Sequence, residues 1–502
     1  MRKLLLVLVL SAAACAQTPQ ARTAQVMRSL RSDPLKLRDF LHAMPKGGDL
    51  HNHLSGAVYA ESYLEWAAGD GMCIDTAKSA VVKSATADQC DQAKDLVTAK
   101  SALTNPALYS ELLGAMSMYQ YLPAHSHDTG HDHFFAAFPR FGAVSGSHWG
   151  DMLAEVTERA AEQHELYLEL ILGLDHNQAG NLADSAHLSL LSPDHSTVPD
   201  IDQEYRQALA AGIKGLIPQM EDELNAAEVR RSEEQRCAHL RGWNARFIGA
   251  CAVQVRYIYE VYRAAPPERV FAQMIAGFEL ASADPRVVAV NLVQPEDWLV
   301  PVRDYALHMR MLDFLHQKYP KVHITLHAGE LAPGLVPYEA LRSHIAEAIH
   351  AGHAERIGHG TDILYEHDHD KTMAEMAKRK IAVEINLTSN RLILGVSGKM
   401  HPLQQYLRAG VPLVISTDDE GVARSEMTEE LMAAVLDQGM TYEQLKQAEF
   451  DSLLYSFADD ATKQKLVKQL ETDFAAFERD ADRFATATEH DPKRTKSAAH
   501  PH

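Results

Sequence analysis

The sequence predicts a (β/α)8 barrel with helical insertions in its early βα loops. Short apolar runs alternate with amphipathic helical stretches through most of the 502 residues, as expected for a parallel barrel. Polar side chains directly follow several of the apolar runs, where the carboxyl ends of barrel strands carry functional groups. The eight predicted strands are residues 47–52, 165–172, 247–255, 287–292, 322–326, 356–358, 381–385 and 413–416.

Composition limits the classes of protein to consider. With 46% hydrophobic and 23% charged residues, the chain is typical of a globular protein large enough for one barrel with insertions. The formal net charge of −20 argues against nucleic-acid binding and against binding to anionic membranes. Because there are 27 histidines, a histidine is informative only where its strand position is right.

The N-terminal residues predict export from the cytoplasm. Residues 1–14 have a basic start, an apolar run and small residues, as in a signal peptide. Cys15 follows at the position of a lipid anchor, although Ala12 stands where lipoprotein signals usually have leucine. We therefore expect a periplasmic protein, an outer-membrane-anchored lipoprotein or a secreted protein. Residues 15–43 would be a linker and helix, with 16–33 mobile; 44–490 would be the barrel, and 491–502 a flexible tail.

The other four cysteines fall into two local pairs, Cys73 with Cys90 and Cys237 with Cys251. In an oxidising compartment each pair can form a disulfide worth about 3 kcal/mol in the chain-entropy model. Four free thiols are the alternative, because spacing alone does not fix connectivity. The sequence contains no Cys-x-x-Cys motif, so it does not indicate a zinc site with thiolate ligands.

The stretch 321–330 predicts a functional strand end. Val322, Ile324 and Leu326 alternate with polar residues, and His327-Ala-Gly-Glu330 follows. The small residues before Glu330 allow a tight turn, which would place this carboxyl over the same opening as His327. Glu330 is therefore a candidate proton carrier, provided that burial raises its pKa.

A metal site is predicted from three strand ends. His51 and His53 lie two apart, so strand alternation sends both imidazoles to one side. With His327 and Asp418 they would give three nitrogens and one oxygen. Three histidines and one aspartate, with an open position for water, are more typical of a catalytic Zn²⁺ site, with one ion per chain, than of a structural site. Alone, the first pair would more often be ordinary polar strand residues.

Two further residues would manage protons at such a site. His359 lies between Gly358 and Gly360, where it could take a proton from water or stabilise hydroxide. Asp419 follows Asp418 and could orient that hydroxide or accept a hydrogen bond from substrate. A polar loop histidine and a helix N-cap are the respective alternatives.

The motif series resembles the adenosine deaminase family of the metal-dependent hydrolases over roughly residues 44–425. The resemblance rests on His51-Asn-His53, His327-Ala-Gly-Glu330, Gly358-His-Gly360, Glu384-Ile-Asn-Leu-Thr-Ser-Asn390 and Ser416-Thr-Asp-Asp419. Met44-Pro-Lys-Gly and the stretch 131–138 resemble its secreted, growth-factor-like branch. The resemblance implies a (β/α)8 barrel, one zinc, and hydrolysis of adenosine or 2'-deoxyadenosine to the inosine product and ammonia.

The resemblance also implies residue roles. His51, His53, His327 and Asp418 would bind zinc. Glu330 would protonate purine N1, His359 would handle the attacking water, and Asp419 would contact water and purine N7. Substrate contacts are expected at Ser55, Gln294, Gly329 and Asp419.

Two departures from the family pattern concern the substrate. Ser55 stands where relatives acting on adenosine often have an acid that contacts the 5'-hydroxyl, and Gln294 stands near a usual glycine whose N–H meets purine N3. The expected partner is a small purine nucleoside, with adenine or a modified adenosine as alternatives. Oligomeric state stays open.

Two other classes compete with this interpretation. A related hydrolase would commonly use two metals bridged by a modified lysine, and no strand-end lysine has suitable neighbours. A histidine-rich metal-binding or growth-factor-like protein would use the pairs that begin at His125, His131 and His367. The cytidine-deaminase type is excluded because its Pro-Cys-x-x-Cys signature is absent.

Overall fold

The computed structural model describes residues 17–83, 90, 95–124, 126–188, 200–237 and 245–485. Eight parallel strands form one sheet in the order β1-β5-β6-β7-β8-β9-β10-β11. The first and last strands also meet: the His53 backbone N–H donates to the Asp418 carbonyl oxygen (2.9 Å), and the Asp418 N–H donates to the His51 carbonyl oxygen (2.8 Å). The sheet therefore closes into the predicted barrel, and the closure lies beside the predicted metal ligands.

The barrel strands are β1 Gly48–His53, β5 Tyr167–Leu172, β6 Gln254–Tyr262, β7 Val287–Val293, β8 His323–Ala328, β9 Arg356–His359, β10 Ala382–Ile385 and β11 Leu413–Ile415. A separate antiparallel sheet has the order β3-β2-β4. Its strands are β2 Cys73–Asp75, β3 Ala80–Val82 and β4 Leu96–Thr98.

The helices fall into three groups along the chain. Those before β5 are α1 Pro19–Leu30, α2 Pro34–Ala43, α3 Leu54–Ala57, α4 Ala60–Gly69, α5 Ala99–Leu103, α6 Pro106–Met116, α7 Gly130–Ser145 and α8 Trp149–Glu162. Those between β5 and β8 are α9 Gln178–Ser185, α10 Ile201–Ala210, α11 Ile217–Glu234, α12 Ala245–Ala252, α13 Pro267–Ala283 and α14 Leu299–Lys318. Those after β8 are α15 His344–His350, α16 His369–Arg379, α17 Leu387–Leu394, α18 Leu403–Ala409, α19 Glu420–Ala423, α20 Met427–Leu436, α21 Tyr442–Leu454, α22 Asp460–Asp480 and α23 Asp482–Ala485.

The third predicted strand, residues 247–255, is wrong. Most of that range belongs to helix α12, and the strand β6 begins only at Gln254. Residues Val255, Tyr257, Tyr259 and Val261 are buried along β6, and these β-branched and aromatic side chains favour the pleated sheet. The apolar run before them is short and rich in small residues, which a helix accommodates equally well.

Insertions occupy the two long early connections, as predicted. The connection from β1 to β5 carries α3–α8 and the small sheet, and the connection from β5 to β6 carries α9–α12. Each insertion contains one disulfide, Cys73–Cys90 in the first and Cys237–Cys251 in the second. The predicted pairing is confirmed, and the alternative of four free thiols is wrong.

The expectation of a mobile linker over residues 16–33 is wrong for its described part. Helix α1 begins with the Thr18 side chain accepting a hydrogen bond from the Ala21 N–H. Its apolar face is buried, with Met27 and Leu30 almost fully covered, so the helix gains the burial energy that ordering a chain segment needs. The predicted signal peptide, Cys15 and the tail 491–502 lie outside the described residues and stay predictions.

The carboxyl ends of the barrel strands open into a pocket, whereas the barrel centre is filled. Ile171, Ile258, Ala289 and Val293 pack together inside the barrel, which leaves function to the strand ends. Among the described residues, no helix combines the length and hydropathy needed to cross a bilayer.

Candidate functional site

Three histidine nitrogens converge at the mouth of the barrel. His51 Nε2 lies 3.0 Å from His327 Nε2, and His53 Nε2 lies 3.2 Å from the same atom. His51 and His53 come from the end of β1 and His327 from the end of β8. His51 is fully buried and His327 is 5% exposed, whereas the His53 side chain is partly exposed. Such crowding of imidazole nitrogens is unfavourable unless a cation lies between them.

The other ring nitrogens fix which way each imidazole faces. His51 Nδ1 donates to the Glu384 carboxylate (2.6 Å), and His327 Nδ1 donates to the Asn291 side-chain oxygen (3.0 Å). Both partners accept at these atoms, so each Nδ1 carries the proton and each Nε2 turns a lone pair towards the convergence point. This is the usual arrangement of metal-binding histidines.

Asp418 completes the group from the end of β11. Its Oδ1 lies 3.5 Å from His51 Nε2 and 3.5 Å from His53 Nε2. Ligands held at about 2.0–2.2 Å around a tetrahedral ion lie about 3.4 Å apart, so the four atoms fit one small cation. Asp418 has a left-handed φ of 63°, uncommon for a residue with a side chain, and the two hydrogen bonds to β1 hold it there.

Sequence reasoning assigned no role to the buried charges beneath this group. Glu384 binds His51 through one oxygen and Arg356 Nε through the other (2.6 Å), and Arg356 also binds Glu169 (2.6 Å). Burial disfavours the Glu384 carboxylate, but Arg356 and His51 outweigh it and hold its pKa at about 2. These connected charged side chains therefore hold the His51 ring in place. In the sequence, the feature that could have indicated these buried ion pairs is the presence of a glutamate and an arginine in otherwise apolar strands.

His359 lies above the histidine group at the end of β9. Its Nδ1 accepts from the Asn390 amide (2.9 Å), and the Asn390 oxygen accepts from His401 (3.0 Å). The proton is thereby placed on His359 Nε2, which lies 4.0 Å from Asp418 Oδ2. Burial lowers the pKa of His359 to about 3, so this ring is neutral.

Glu330 is held over the same opening by its own backbone. Gly329 has a left-handed φ of 76°, which supplies the turn predicted from the sequence. Both carboxylate oxygens of Glu296 accept from this turn, one from the Gly329 N–H and one from the Glu330 N–H. Burial and the nearby Asp418 charge raise the pKa of Glu330 well above its usual value. Glu330 Oε1 lies 3.8 Å from His359 Nδ1.

Asp419 faces the pocket with an unused acceptor. It is 4% exposed, and its Oδ1 has no hydrogen-bond partner among the described residues. A Cβ at Gly56 would lie 1.6 Å from this oxygen, so only glycine leaves room for the carboxylate. An unpaired buried acceptor costs free energy, and a bound water or ligand would satisfy it.

A pocket of about 460 Å³ opens over these residues. One wall is helix α7, which lies in the insertion after β1 and presents Phe134, Phe138 and Phe141. Ser55, Gln294, Glu330, Asp418 and Asp419 also line it. Part of the stretch 131–138 therefore lies along the pocket.

The two departures from the family pattern both lie at this pocket. Gln294 has a φ of 79°, a conformation that explains a family preference for glycine. Its side chain points to the backbone, because Gln294 Oε1 accepts from the Ala264 N–H (2.9 Å). The Ser55 carbonyl oxygen accepts from the Tyr63 hydroxyl (2.7 Å). Gly329 lies in the turn before Glu330.

Comparison with known proteins agrees with this geometry. The family model described as adenosine deaminase matches residues 241–473. An adenosine deaminase from Edwardsiella ictaluri is 36% identical over 145 residues, which are 29% of this chain and 40% of that protein. The match thus spans about two fifths of the curated relative.

Solved structures share the fold over much more of the chain. An Arabidopsis protein crystallised with IMP superposes with a TM-score of 0.53 at 18% identity, covering 88% of this chain and 99% of that chain. A zinc-bound amidohydrolase from Burkholderia ambifaria gives a TM-score of 0.52 at 18% identity, covering 90% and 95% respectively.

Fold and site together define a parallel barrel that carries a cluster of histidines and aspartates, able to hold a metal ion, at the carboxyl ends of its strands. Residues 241–473 are the part of the chain that matches the adenosine deaminase family.

Proposed function

We propose that this protein is a zinc-dependent enzyme that hydrolyses adenosine and 2'-deoxyadenosine to inosine and 2'-deoxyinosine with release of ammonia. The observation that carries the proposal is the convergence of seven side chains from four strand ends on one opening. The set comprises His51, His53, His327, Glu330, His359, Asp418 and Asp419.

We assign one zinc per chain to His51, His53, His327 and Asp418. The fit rests on the mutual distances of their four ligand atoms and on the protonated Nδ1 atoms of two histidines. When bound, such a zinc lowers the pKa of a water from near 16 to about 7 and so supplies hydroxide at neutral pH.

The protein's own groups would manage the remaining protons. His359 Nε2–H is placed to donate to the oxygen that adds to purine C6, which agrees better with stabilising hydroxide than with taking its proton. Glu330 would give its proton to ring N1 as the C6–O bond forms. Asp419 would accept a hydrogen bond from the attacking water through its free oxygen. When the C6–N bond breaks, the 6-amino group would take the proton of the added hydroxyl group and leave as ammonia, while the product keeps the proton on N1.

The pocket wall suits a planar base. Phe135 and Phe138 of α7 are partly exposed in the pocket and supply aromatic surface against which a purine can pack. The adenosine deaminase name of the Edwardsiella relative and the IMP bound to the Arabidopsis protein favour a purine substrate. Since Ser55 offers only a neutral hydroxyl at the 5' end of the sugar, we expect relaxed demand for the 5'-hydroxyl.

Two alternatives are weaker. A two-metal hydrolase needs a bridging lysine, and no described residue lining the pocket is a lysine. A metal-binding or growth-factor-like protein would use the histidine pairs outside the site, but His131 binds Asp132 and Asp297, and His367 contacts Arg342. His125 lies outside the described residues. Deamination of adenine or a modified adenosine keeps the same chemistry and is the second candidate.

A substrate panel tests the proposal. Purified protein should release ammonia from adenosine, 2'-deoxyadenosine and 5'-deoxyadenosine, with the conversion followed by the loss of adenosine absorbance. Strong rejection of 5'-deoxyadenosine would contradict the account of Ser55. Turnover of free adenine without any nucleoside would require revision of the substrate.

We also infer that the mature protein works outside the cytoplasm. The signal-like residues 1–14 motivate the inference, and two disulfides suit an oxidising compartment.

A further inference from the structure

Two short helices pack closely around the Asp419 side chain. Helix α3 follows β1, and helix α19 follows β11 with Asp419 directly before its first residue. A Cβ at Gly56 of α3 would lie 1.6 Å from Asp419 Oδ1, and a Cβ at Gly421 of α19 would lie 1.9 Å from the Val58 carbonyl oxygen. The position of the Asp419 carboxylate therefore depends on how these two helices are held together.

Arg159 joins the two helices from the insertion that follows β1. It lies on α8, and only 9% of its surface is exposed. Its Nε donates to the carboxylate of Glu420, the first residue of α19 (3.0 Å). Its Nη2 donates to the carbonyl oxygen of Ala57, the last residue of α3. One guanidinium thus binds both helices, because its donors are fixed in one plane and point in different directions.

The guanidinium of Arg159 is itself held in one orientation. Its Cζ lies 4.7 Å from the centroid of the Tyr59 ring. Its Nη1 donates to Glu155 Oε1 (3.3 Å), and the same oxygen accepts from the Tyr59 N–H (3.0 Å). Glu155 and Arg159 are four residues apart on α8, so this helix presents an acceptor and a donor to the segment after β1. The chemistry proposed above uses none of these three residues.

We propose that Arg159 is a positioning residue that fixes the Asp419 carboxylate at the mouth of the barrel. The inference rests on the proposed function, in which Asp419 accepts a hydrogen bond from the attacking water. Such a group has to be held within about 0.5 Å of its productive position, and misplacement by about 1 Å can lower a rate about a hundredfold. Arg159 supplies this restraint through Glu420 and Ala57, the residues next to Asp419 and Gly56.

Arg159→Lys tests the inference in the zinc-loaded enzyme. Lysine keeps the positive charge but lacks the planar set of donors that reaches both helices. We expect kcat with adenosine to fall about tenfold, while zinc stays at one per chain and KM changes little, because Asp419 acts on the attacking water. Arg230→Lys is the matched control and should leave kcat unchanged. Arg230 also pairs with an acid of α8, Asp151, but at the other end of that helix.

The double variant Arg159→Lys, Asp419→Asn separates positioning from general stabilisation. Asparagine keeps an oxygen that can accept a hydrogen bond, so Asp419→Asn alone should retain measurable turnover. If Arg159 acts through the Asp419 carboxylate, adding the lysine to this background should lower kcat by less than about threefold. An equal tenfold loss in both backgrounds would overturn the inference, as would a wild-type kcat in Arg159→Lys.

Hydrogen exchange distinguishes failure of this inference from failure of the proposed function, because it needs no turnover. In zinc-loaded Arg159→Lys, the backbone amides of residues 54–59 and 419–424 should exchange about tenfold faster than in the wild type, and those of β8 should not change. If the wild type deaminates no substrate, the proposed function fails. Unchanged exchange in both segments would overturn the positioning role of Arg159 whether or not the protein deaminates adenosine.

A second variant covers the case in which Arg159→Lys does not fold. The pair Arg159→Met, Glu420→Gln removes both buried charges together, so neither is left without its partner. It breaks the same connection between α3 and α19, and the same changes in kcat and in hydrogen exchange are expected. Wild-type values of both in the folded pair would overturn the inference.

Discussion

Replacing His327 with alanine should abolish both metal binding and catalysis. His327 Nε2 lies within 3.2 Å of the corresponding atoms of His51 and His53, so its loss removes the central member of the ligand set. We expect zinc content to fall from one per chain to near zero by elemental analysis. Because metal activation is worth several kcal/mol, kcat should fall at least about a thousandfold.

The matched control is His323→Ala on the same strand. His323 lies at the start of β8, is partly exposed and pairs with Glu355, so this variant should keep zinc and activity. Zinc retained in the His327 variant, or two zincs in the wild type, would point to a different class of metal site.

Glu330→Gln should separate proton transfer from metal binding. The glutamine keeps the size of the side chain, and the turn stays anchored because Glu296 binds backbone N–H groups. Zinc content should be unchanged, while kcat at saturating adenosine should fall at least about a hundredfold, the usual contribution of a general acid.

Glu339→Gln provides the control for this second variant. Glu339 lies in the same connection between β8 and β9 and is exposed, so its replacement should change kcat little. A Glu330→Gln enzyme with nearly full activity would remove Glu330 from the role of acid.

The fold could be predicted because its signals are local. Alternation in 322–326 and the polar residues after several strands indicated the barrel. All eight predicted strands share residues with those observed, the third only at 254 and 255. The third strand was misplaced because the apolar run of α12 continues directly into β6, and periodicity does not separate a short buried helix from a strand.

The site was predictable at its reactive residues but not at their supports. His51, His327 and Asp418 stand at strand ends, where a sequence pattern can single them out. The supporting residues contact positions far along the chain. The separations are 333 residues for Glu384 and His51, 36 for Asn291 and His327, and 34 for Glu296 and Glu330. Such pairings depend on barrel closure, which only the three-dimensional arrangement reveals.

Helix α1 shows the same limit in another form. Its polar composition predicted a mobile segment, yet Met27 and Leu30 are buried. The hydrophobic face of α1 is narrow, and the stabilisation that it provides depends on contacts with other parts of the fold, which the sequence does not show.

Ammonia release from adenosine, measured before and after chelation, tests the central claim most directly. The account predicts production of one ammonia per inosine, loss of activity when a chelator removes the metal, and recovery on addition of one equivalent of zinc. Full activity in metal-free protein, or inosine formed without ammonia, would contradict it.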